Sequence, residues 1–402
     1  MGFFIPILFA AFVLPSSVVA QSNSSLVYNV LDYGAVGDGY NDDTNAFKHA
    51  WEAACTSSPD SSSSAPTMQI PSNTSFFIQP VIFRGPCRSP IINVEISGEL
   101  LAPVNPTDWR CIGGYCGMWI HFKSLRGLRL YGGGRIHGRG EKWWQKLGRR
   151  KPTALEISDS DDVQITSLNF KDNPKMHLVL NNLRSVSVST IHIDAPADSK
   201  NTDGIHVTGS TDVSIDSCKI STGDDCVSIV NGSANVRVTN IFCGPGHGIS
   251  IGSLGKHGAE DKVENIYVSD VVFRNTENGA RIKSWQGGKG YARNIIYERI
   301  TLQDADNPII IDQFYCDHEK CKTQESAVQI HDITFRQVIG TSKNKVAVKL
   351  DCSETVPCNN IILNDIYILS SEDQSTTTSD CKNAHGTIQG RMVPNPSCLT
   401  QV

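Results

Sequence analysis

Four short polar motifs lie between residues 201 and 283 of the chain, and together they carry three carboxylates, one imidazole and two cations. Carboxylates and an imidazole can supply the general acid and the general base that hydrolysis needs. Arginine and lysine can hold an anionic substrate. This combination suits the cleavage of a glycosidic bond in an acidic sugar polymer. The motifs are Asn-Thr-Asp at 201–203, Gly-Asp-Asp at 223–225, Gly-His-Gly at 246–248 and Arg-Ile-Lys at 281–283.

The elements that must position these motifs follow a repeat of the form apolar-x-apolar-x-x-apolar-x-apolar, and most copies start 23 to 30 residues apart. Alternation at every second residue predicts strands with one buried face, and the two-residue break predicts a bend between two short strands. Repeats of this length, rich in Val, Ile, Asn, Ser and Gly, predict a parallel β-helix whose stacked coils bury a continuous core. The copies start at Val163, Val186, Val213, Val236, Ile266, Ile295, Ile333 and Ile361.

The repeat leaves one other architecture open, a β-sandwich with regularly spaced strands. A helical solenoid would need longer stretches with a period of 3.6 residues, which the sequence lacks. A short helix from Thr44 to Ala54 is expected to cap the open end of the solenoid, as such arrays require. We therefore expect one all-β domain over residues 21–402, which ends in a tail that Cys381 and Cys398 staple together.

Stacking of the coils predicts that the carboxylates meet. Asp203 lies ten residues before Val213, whereas Asp224 and Asp225 lie twelve and eleven residues before Val236. Like offsets in successive coils stack above one another, and adjacent coils are ~5 Å apart. The three carboxylates should therefore share one patch, with the histidine and the two cations on the next coils.

Each motif taken alone has a plainer interpretation. An aspartate in such a turn can simply cap the backbone, a single histidine can be a packed or surface group, and Arg281 with Lys283 can form a solvated strand face. Because all four motifs fall in related coils, we favour the catalytic interpretation. Clustered carboxylates raise one another's pKa, which predicts a protonated acid beside an ionised base. His247 can tune the proton of that acid by hydrogen bonding.

The N-terminus and the cysteines indicate secretion. An apolar run over 3–14 is too short to span a bilayer, and small residues follow it up to Ala20. This pattern predicts a secretory signal peptide over residues 1–20 rather than a membrane anchor. Thirteen cysteines and glycosylation sequons at Asn23, Asn73 and Asn231 suit an oxidising compartment. A net charge of −5 makes nucleic acid an unexpected partner, and after signal cleavage we expect no membrane association.

Short cysteine spacings predict local disulfides, and the odd number leaves at least one thiol unpaired. We expect that thiol at Cys218, which occupies the third apolar position of its repeat and would face inward as a small hydrophobe. The predicted local pairs are Cys111 with Cys116, Cys316 with Cys321, and Cys352 with Cys358.

In these motifs the chain resembles the plant polygalacturonases, pectin-degrading enzymes of glycoside hydrolase family 28. The resemblance runs from Val-Leu-Asp-Tyr-Gly-Ala at 30–35 to Cys358, and it is most specific in the four motifs and in Cys-Gly-Pro-Gly-His-Gly-Ile-Ser-Ile-Gly at 243–252. It implies a right-handed parallel β-helix, a pectic polysaccharide substrate in the plant cell wall, and no metal or organic cofactor. It also implies a disulfide between Cys226 and Cys243, and we expect a monomer.

The resemblance assigns roles residue by residue. Asp224 would be the general acid, Asp203 and Asp225 would activate the attacking water, and the reaction would invert the anomeric carbon. His247 would support the protonation of the acid. The substrate-binding residues implied are Arg281 and Lys283 for the galacturonate carboxylate, with Tyr315, Asn201 and His177.

Two departures from the family pattern bear on substrate contacts. The stretch before His177 reads Asp-Asn-Pro-Lys-Met-His at 172–177, where the family often has Asn-Ser-Pro before its histidine. Phe314 stands where asparagine is common. Neither departure removes a catalytic group, but both are expected to alter how the substrate is held.

The sequence therefore predicts a secreted hydrolase of the α-1,4-galacturonosidic bonds of homogalacturonan, with internal (endo) cleavage favoured over exo-cleavage. Other enzymes that remain open are an exo-polygalacturonase, a rhamnogalacturonan or xylogalacturonan hydrolase, and a calcium-dependent pectate lyase. A catalytically silent wall-binding protein is the alternative from another class. Its signature would be the loss of an aspartate, and all three are present.

Overall fold

The computed structural model describes residues 1–3, 26–58, 64–111, 113, 116–145, 151–317 and 321–401. Most of the predicted signal peptide, as well as the sequon at Asn23, lies outside the described residues. Within the described part of the chain, no helix has both the length and the apolar composition that crossing a bilayer requires.

The strands wind as a right-handed parallel β-helix, which confirms the predicted fold class and rules out the β-sandwich. A complete coil contributes three strands, one to each of three faces that we call A, B and C. In one coil these are Ile205–Thr208 on face A, Thr211–Asp216 on face B and Lys219–Ser221 on face C. Each pairs in parallel with its counterpart in the next coil, so the faces are long parallel sheets.

The strands and helices of the described residues are numbered in chain order. The strands are β1 Val27–Asn29, β2 Asp38–Asp42, β3 Thr67–Ile70, β4 Ser75–Phe77, β5 Val81–Arg84, β6 Ile92–Ile96, β7 Glu99–Leu101, β8 Met118–Lys123, β9 Arg126–Tyr131, β10 Arg135–His137, β11 Thr153–Thr166, β12 Asn169–Lys171, β13 Leu178–Ser189, β14 His192–Asp194, β15 Ile205–Thr208, β16 Thr211–Asp216, β17 Lys219–Ser221, β18 Val227–Ile229, β19 Ser233–Cys243, β20 Ile249–Leu254, β21 Glu260–Arg274, β22 Asn278–Ser284, β23 Lys289–Ala305, β24 Asn307–Asp312, β25 Gln329–Ser342, β26 Val346–Asp351, β27 Cys358–Ser370, β28 Thr378–Lys382, β29 Ala384–Val393 and β30 Thr400–Gln401. The helices are the α-helices α1 Thr44–Thr56 and α2 Glu141–Trp144 and the 3₁₀ helices Val30–Tyr33 and Lys256–Gly258.

The repeat found in the sequence corresponds to face B, where equivalent residues of successive copies pair with one another. The eight residues that start its copies, from Val163 to Ile361, pair with one another in chain order through successive coils. The second residue of each two-residue break has a positive φ, for example 55° at Asn240 and 57° at Asp270. Asparagine and aspartate tolerate this left-handed conformation best among residues with a side chain. The breaks therefore are the bends between faces B and C.

A second column of left-handed residues precedes each copy and bends face A into face B. Asn235 and Asn265 have φ values of 55° and 58°, and the Asn265 amide donates a hydrogen bond to Asn235 Oδ1 at 2.9 Å. The same column continues to Asn294, whose amide donates to Asn265 Oδ1 at 2.6 Å. The side chains that allow the turn thus also tie neighbouring coils together.

The helix expected at 44–54 is present and extends to Thr56. Its apolar face is buried over the first coils of the solenoid. Phe47 packs edge-on against Phe76, and Trp51 packs against Phe83, both with ring centroids 5.3 Å apart. The helix therefore covers the apolar core at the N-terminal end, as predicted.

The coil before Val163 does not appear in the sequence repeat because one of its turns is wider. Leu128 pairs with both Ile92 and Val163, so the stack is continuous there. Three glycines at 132–134, however, separate its face B strand from its face C strand, where later copies have two residues. Gly132 has φ 130°, and a Cβ on it would lie 2.4 Å from the Ile96 carbonyl oxygen, so this close turn requires glycine.

The cysteines pair as the sequence and the resemblance indicate, with one addition. All three predicted local disulfides are present, as are Cys226–Cys243 and Cys381–Cys398. The addition is Cys55–Cys87, which links the end of α1 to the segment after β5. Cys218 is buried and unpaired, as predicted, and burial raises the pKa of its thiol to about 11.

The C-terminal segment, predicted as a stapled tail, contains further strands of the solenoid. Strand β28 pairs in parallel with β26 on face A, and β29 pairs with β27 on face B. The disulfide between Cys381 and Cys398 therefore joins two parts of the last coil of the solenoid.

Candidate active site

Three of the four motifs lie at the same edge of neighbouring strands on face A, and the fourth lies on the next strand. Three of them stand directly before β15, β18 and β20, and the Arg-Ile-Lys motif lies within β22. Ile205 pairs with Val227, Val227 with Ile249, and Ile249 with Ala280. Residues separated by up to 82 positions in sequence are thus brought to adjacent coils, as the offsets predicted.

The turns that carry the carboxylates are fixed by backbone hydrogen bonds between coils. The Gly204 amide donates to the Asp225 carbonyl at 2.9 Å, and the His247 amide donates to the Asp224 carbonyl at 2.7 Å. Gly248 has φ 85°, and a Cβ there would lie 2.3 Å from the Asn278 carbonyl oxygen. Only glycine fits at that point, which explains its position beside the histidine.

Asp225 is buried between two cations. Arg281 Nη2 lies 2.6 Å from Asp225 Oδ1, and Lys283 Nζ lies 2.9 Å from Oδ2. Ser250 donates a further hydrogen bond to Oδ1 at 2.7 Å. Burial alone would raise the pKa of Asp225, but the charges of Lys283 and Arg281 and these hydrogen bonds outweigh it and hold the pKa well below its usual range. Asp225 is therefore ionised.

The two cations do not form the solvated strand face that was one interpretation of their spacing. Arg281 is only 8% exposed and Lys283 only 6%. Both donate hydrogen bonds to Asp225, a contact that the sequence did not reveal. Of the three protons on the Lys283 ammonium, one serves Asp225 Oδ2, which leaves donors for an anionic ligand.

Asp203 differs from Asp225 because its pKa is raised and not lowered. It accepts a hydrogen bond from Ser228 Oγ at 2.8 Å, and His206 Nδ1 lies 3.9 Å from the same carboxylate oxygen. Burial and the negative charges of Asp224 and Asp225 raise the pKa of Asp203 to about 7. Of the three clustered carboxylates, this is the one whose pKa the structure raises.

Asp224 and His247 form a pair that a third residue extends. His247 Nδ1 lies 3.3 Å from Asp224 Oδ1, and His247 Nε2 lies 3.1 Å from Glu277 Oε2. The Glu277 side chain is 52% exposed, so it leaves one side of the imidazole near solvent. The result is a chain of carboxylate, imidazole and carboxylate.

The ionisation of this pair differs from the simple expectation for an acid in a carboxylate cluster. Burial would raise the pKa of Asp224, but its hydrogen bond with His247 and the charges of His247 and Lys283 lower it. Burial would likewise lower the pKa of His247, but Asp224, Glu277 and Asp225 together raise it. Without substrate, the proton of the pair therefore rests on the imidazole.

Glu277 was missed in the sequence, although a signal was present. It stands three residues before Ala280, as Asp224 stands three residues before Val227, and these two strand residues occupy the same column of face A. The position of Glu277 beside His247 could be recognised only from the structure. The coils differ in length, and the sequence does not give the lengths of the intervening turns.

His177 is fully buried, in contrast to its expected role in substrate binding. The residue is 0% exposed, and its Nδ1 lies 3.0 Å from the Asp203 carbonyl oxygen. Its Nε2 accepts a hydrogen bond from the Asn173 amide at 3.4 Å. Burial lowers the pKa of His177 to about 4, so the ring is neutral. The geometry assigns it to holding the turn that carries Asp203.

Asn201 contacts Asp224, and Tyr315 lies beside Lys283. The Asn201 amide donates to Asp224 Oδ2 at 3.4 Å. The Tyr315 ring packs edge-on against Trp285, and Lys283 Nζ lies 5.3 Å from the centre of that ring. Both residues therefore lie beside the cluster of carboxylates and cations.

The ligand atoms of Asp224, Asp225 and His247 lie within 4.8 Å of one another, which meets the distance requirement for a metal ion. However, Arg281 and Lys283 already pair with both oxygens of Asp225. A further cation would meet little unpaired negative charge there, so the donor set suits acid–base chemistry better than metal binding.

Comparison with known proteins places this geometry in a family. The family described as Glycosyl hydrolases family 28 matches residues 61–394. A probable polygalacturonase of Arabidopsis thaliana is 40% identical over 94% of this chain and 86% of its own length. A polygalacturonase of Persea americana is 42% identical over 88% and 76%, respectively. The crystal structure of an endo-xylogalacturonan hydrolase from Aspergillus tubingensis superposes with a TM-score of 0.77 and 25% identity, over 93% of this chain and 97% of that one.

Proposed function

The chain belongs to glycosyl hydrolases family 28, and we propose that it is a secreted polygalacturonase that cleaves the α-1,4 bonds of homogalacturonan with inversion. The observation that carries this proposal is the pairing of Asp225 with Arg281 and Lys283 beside the Asp224–His247 pair. A site with two buried cations at the reacting carboxylates suits a sugar that is itself a carboxylate.

In this proposal, Asp224 is the general acid. An arriving galacturonate displaces water and adds negative charge, and both effects raise the pKa of Asp224. The proton held on His247 Nδ1, 3.3 Å away, can then pass to Asp224 and on to the leaving glycosidic oxygen. The bond from the anomeric carbon to that oxygen breaks as the proton arrives.

Asp203 and Asp225 activate the attacking water. Arg281 and Lys283 hold the sugar carboxylate, and we propose that this contact weakens their hold on Asp225. The pKa of Asp225 then rises towards its usual range, which makes it a better proton acceptor. Asp203, with a pKa raised to about 7, shares that task in its ionised form. The water oxygen attacks the face of the anomeric carbon opposite the leaving group, and inversion follows.

Internal cleavage is the mode that we favour. Face A continues on both sides of the catalytic strands, through β13, β11 and β8 in one direction and through β24, β26 and β28 in the other. Strands in the stack are ~4.8 Å apart, so about three further strands on each side give ~14 Å of floor. A polymer lying along this floor can extend past the carboxylates in both directions.

The extracellular plant wall is the location that we propose. The described residues contain six disulfides, which suit an oxidising compartment. Two of the predicted glycosylation sites, Asn73 and Asn231, are exposed. We also propose that the protein acts as a monomer.

The test of the proposal is product sizing on unesterified polygalacturonate, with a chelator present and with xylogalacturonan and rhamnogalacturonan as comparison substrates. We expect a spread of oligogalacturonates at early times and little activity on the comparison substrates. Release of only monomer or dimer from the outset would replace endo with exo action. Unsaturated products that depend on calcium would contradict hydrolysis, and a clear preference for xylogalacturonan would contradict the substrate assignment.

Replacing Glu277 with glutamine should move the alkaline limb of the pH profile of kcat/KM to lower pH. Glu277 helps to raise the pKa of His247, so its neutralisation lets the imidazole lose its proton earlier as pH rises. Because Glu277 is half exposed, we expect a shift of a few tenths of a pH unit. The measurement is the pH profile together with the NMR titration of the His247 ring without substrate.

The matched control is Glu260→Gln, which removes an exposed carboxylate that pairs with Lys262 elsewhere on the surface. It should leave both the limb and the His247 titration unchanged. An unchanged His247 titration in Glu277→Gln would show that this glutamate does not influence the imidazole.

A further inference from the structure

A second group of metal-ligating side chains lies on face C, apart from the catalytic carboxylates. His137 ends strand β10, Asp172 follows strand β12 of the next coil, and Glu141 begins helix α2. One ligand atom from each of the three lies within 4.8 Å of the others. The proposed hydrolase chemistry uses none of these residues.

The imidazole of His137 lies between two carboxylates without forming a hydrogen bond to either. Its Nε2 lies 3.6 Å from Asp172 Oδ2, and its Nδ1 lies 3.8 Å from Glu99 Oε1. Both distances exceed hydrogen-bonding range. Nε2 is shielded from solvent and has no hydrogen-bond partner among the described residues. A buried polar nitrogen without a partner is costly, which points to a ligand that completes the site.

The separation of the two ligand atoms suits a tetrahedral metal. Two atoms that each bind one Zn²⁺ at 2.0–2.1 Å in tetrahedral geometry lie about 3.4 Å apart. The 3.6 Å between His137 Nε2 and Asp172 Oδ2 is close to this value. Glu141 is exposed and sits within reach as a third ligand, and solvent can fill the fourth position.

Glu99 lies near the other ring nitrogen of His137, Nδ1. A ligating histidine usually has a carboxylate or a carbonyl on its other ring nitrogen, which fixes the orientation of the ring. Glu99 Oε1 occupies that side of His137, and Ser75 and Arg135 each contact the Glu99 carboxylate at 3.3 Å. The orienting carboxylate is therefore itself held in place.

We propose that His137, Asp172 and Glu141 bind one Zn²⁺ ion, with Glu99 as the positioning residue that orients the His137 ring. The imidazole nitrogen favours zinc over calcium or magnesium, which prefer ligands made only of oxygen. Lys171 Nζ, 3.9 Å from Asp172 Oδ2, is the competing cation, and its side chain is 42% exposed, so it can turn to solvent. The ion would link two successive coils and α2.

Titration calorimetry of ZnCl₂ into untagged, chelator-treated protein tests this proposal, with CaCl₂ as the comparison ion. We expect one Zn²⁺ per chain with a Kd in the micromolar range or tighter, and weaker binding of Ca²⁺. His137→Gln should abolish Zn²⁺ binding at this site. Glu99→Gln should weaken it about 10- to 100-fold, the usual effect of losing an orienting partner. Circular dichroism checks the fold of each variant, and Asp172→Asn replaces His137→Gln if that variant does not fold.

Two control variants make the outcome specific. His192→Gln removes an exposed imidazole from β14, a later strand of the same face, and should leave Zn²⁺ binding intact. His247→Gln removes the imidazole of the other possible metal cluster and should also leave it intact. Zn²⁺ binding that survives in His137→Gln, is lost in His247→Gln, or is weaker than Ca²⁺ binding would overturn the proposal. An absence of any Zn²⁺ binding would overturn it as well.

Discussion

Replacing Asp224 with asparagine is expected to lower kcat on polygalacturonate by about 10²- to 10⁴-fold, the range for loss of a general acid. Asparagine keeps the shape of the side chain and can still accept a hydrogen bond at Oδ1 from the Asp225 amide, which lies 2.8 Å away. It cannot pass a proton from His247 to the leaving oxygen. KM should change much less than kcat, because the loss concerns the transition state.

A matched control separates this effect from a general loss of charge. Asp212 is exposed, has φ 57°, and accepts a hydrogen bond from the Asn235 amide at 2.9 Å. Asparagine already occupies the equivalent bend in other coils, such as Asn235 and Asn265, so Asp212→Asn should fold and retain full activity. Near wild-type kcat in a folded Asp224→Asn protein would refute the role given to Asp224.

Replacing Asp225 with asparagine should abolish activity and also destabilise the fold. The substitution leaves Arg281 and Lys283 buried without their shared carboxylate. Breaking a buried ion pair from one side costs about 3–5 kcal/mol. Asp224→Asn should have a far smaller effect on stability, because Asp224 does not hold these cations. Urea unfolding of the two variants at neutral pH provides the comparison.

The pH dependence of this loss has a defined sign. The pKa of Asp225 is lowered in the folded state, so its contribution to stability is complete above its unfolded pKa of about 4. That contribution is lost as pH falls towards the folded pKa, so the wild type should approach the Asp225→Asn variant in strongly acidic solution. The double variant Asp225→Asn with Lys283→Met removes one stranded cation and should recover part of the stability without recovering activity. Equal unfolding midpoints for wild type and Asp225→Asn would contradict the ion-pair account.

The sequence predicted the solenoid because the information for each bend is local. A coil needs alternating apolar residues for its strands and a residue that accepts a positive φ at each corner, as Asn240 and Asp270 do. Both features recur from Val163 onward, mostly 23 to 30 residues apart. The pattern fails where the corner widens, as at 132–134, because a longer turn shifts the spacing without changing the stacking.

The sequence predicted the location of the candidate active site better than it predicted the side-chain contacts within it. Vertical stacking was enough to bring Asp203, Asp224 and Asp225 together. The partners of these carboxylates depend on which way side chains turn between coils of unequal length. The pairing of Lys283 with Asp225, across 58 residues, and that of Glu277 with His247 are contacts of this kind.

The prediction of raised pKa values for the three aspartates was wrong in part for the same reason. Mutual repulsion among three carboxylates predicts raised pKa values, and this holds for Asp203. Asp224 and Asp225 instead have lowered values, because His247, Arg281 and Lys283 lie in direct contact with them. The family resemblance placed His177 at the substrate, and a resemblance in sequence does not show that its ring is fully buried.

The most direct test of the central claim is the anomeric form of the first product. Proton NMR of polygalacturonate during cleavage, recorded before mutarotation, identifies the configuration of each new reducing end. Single displacement by a water that Asp203 and Asp225 activate predicts that the β-anomer appears first from the α-linked polymer. First appearance of the α-anomer would contradict the roles given to the three aspartates.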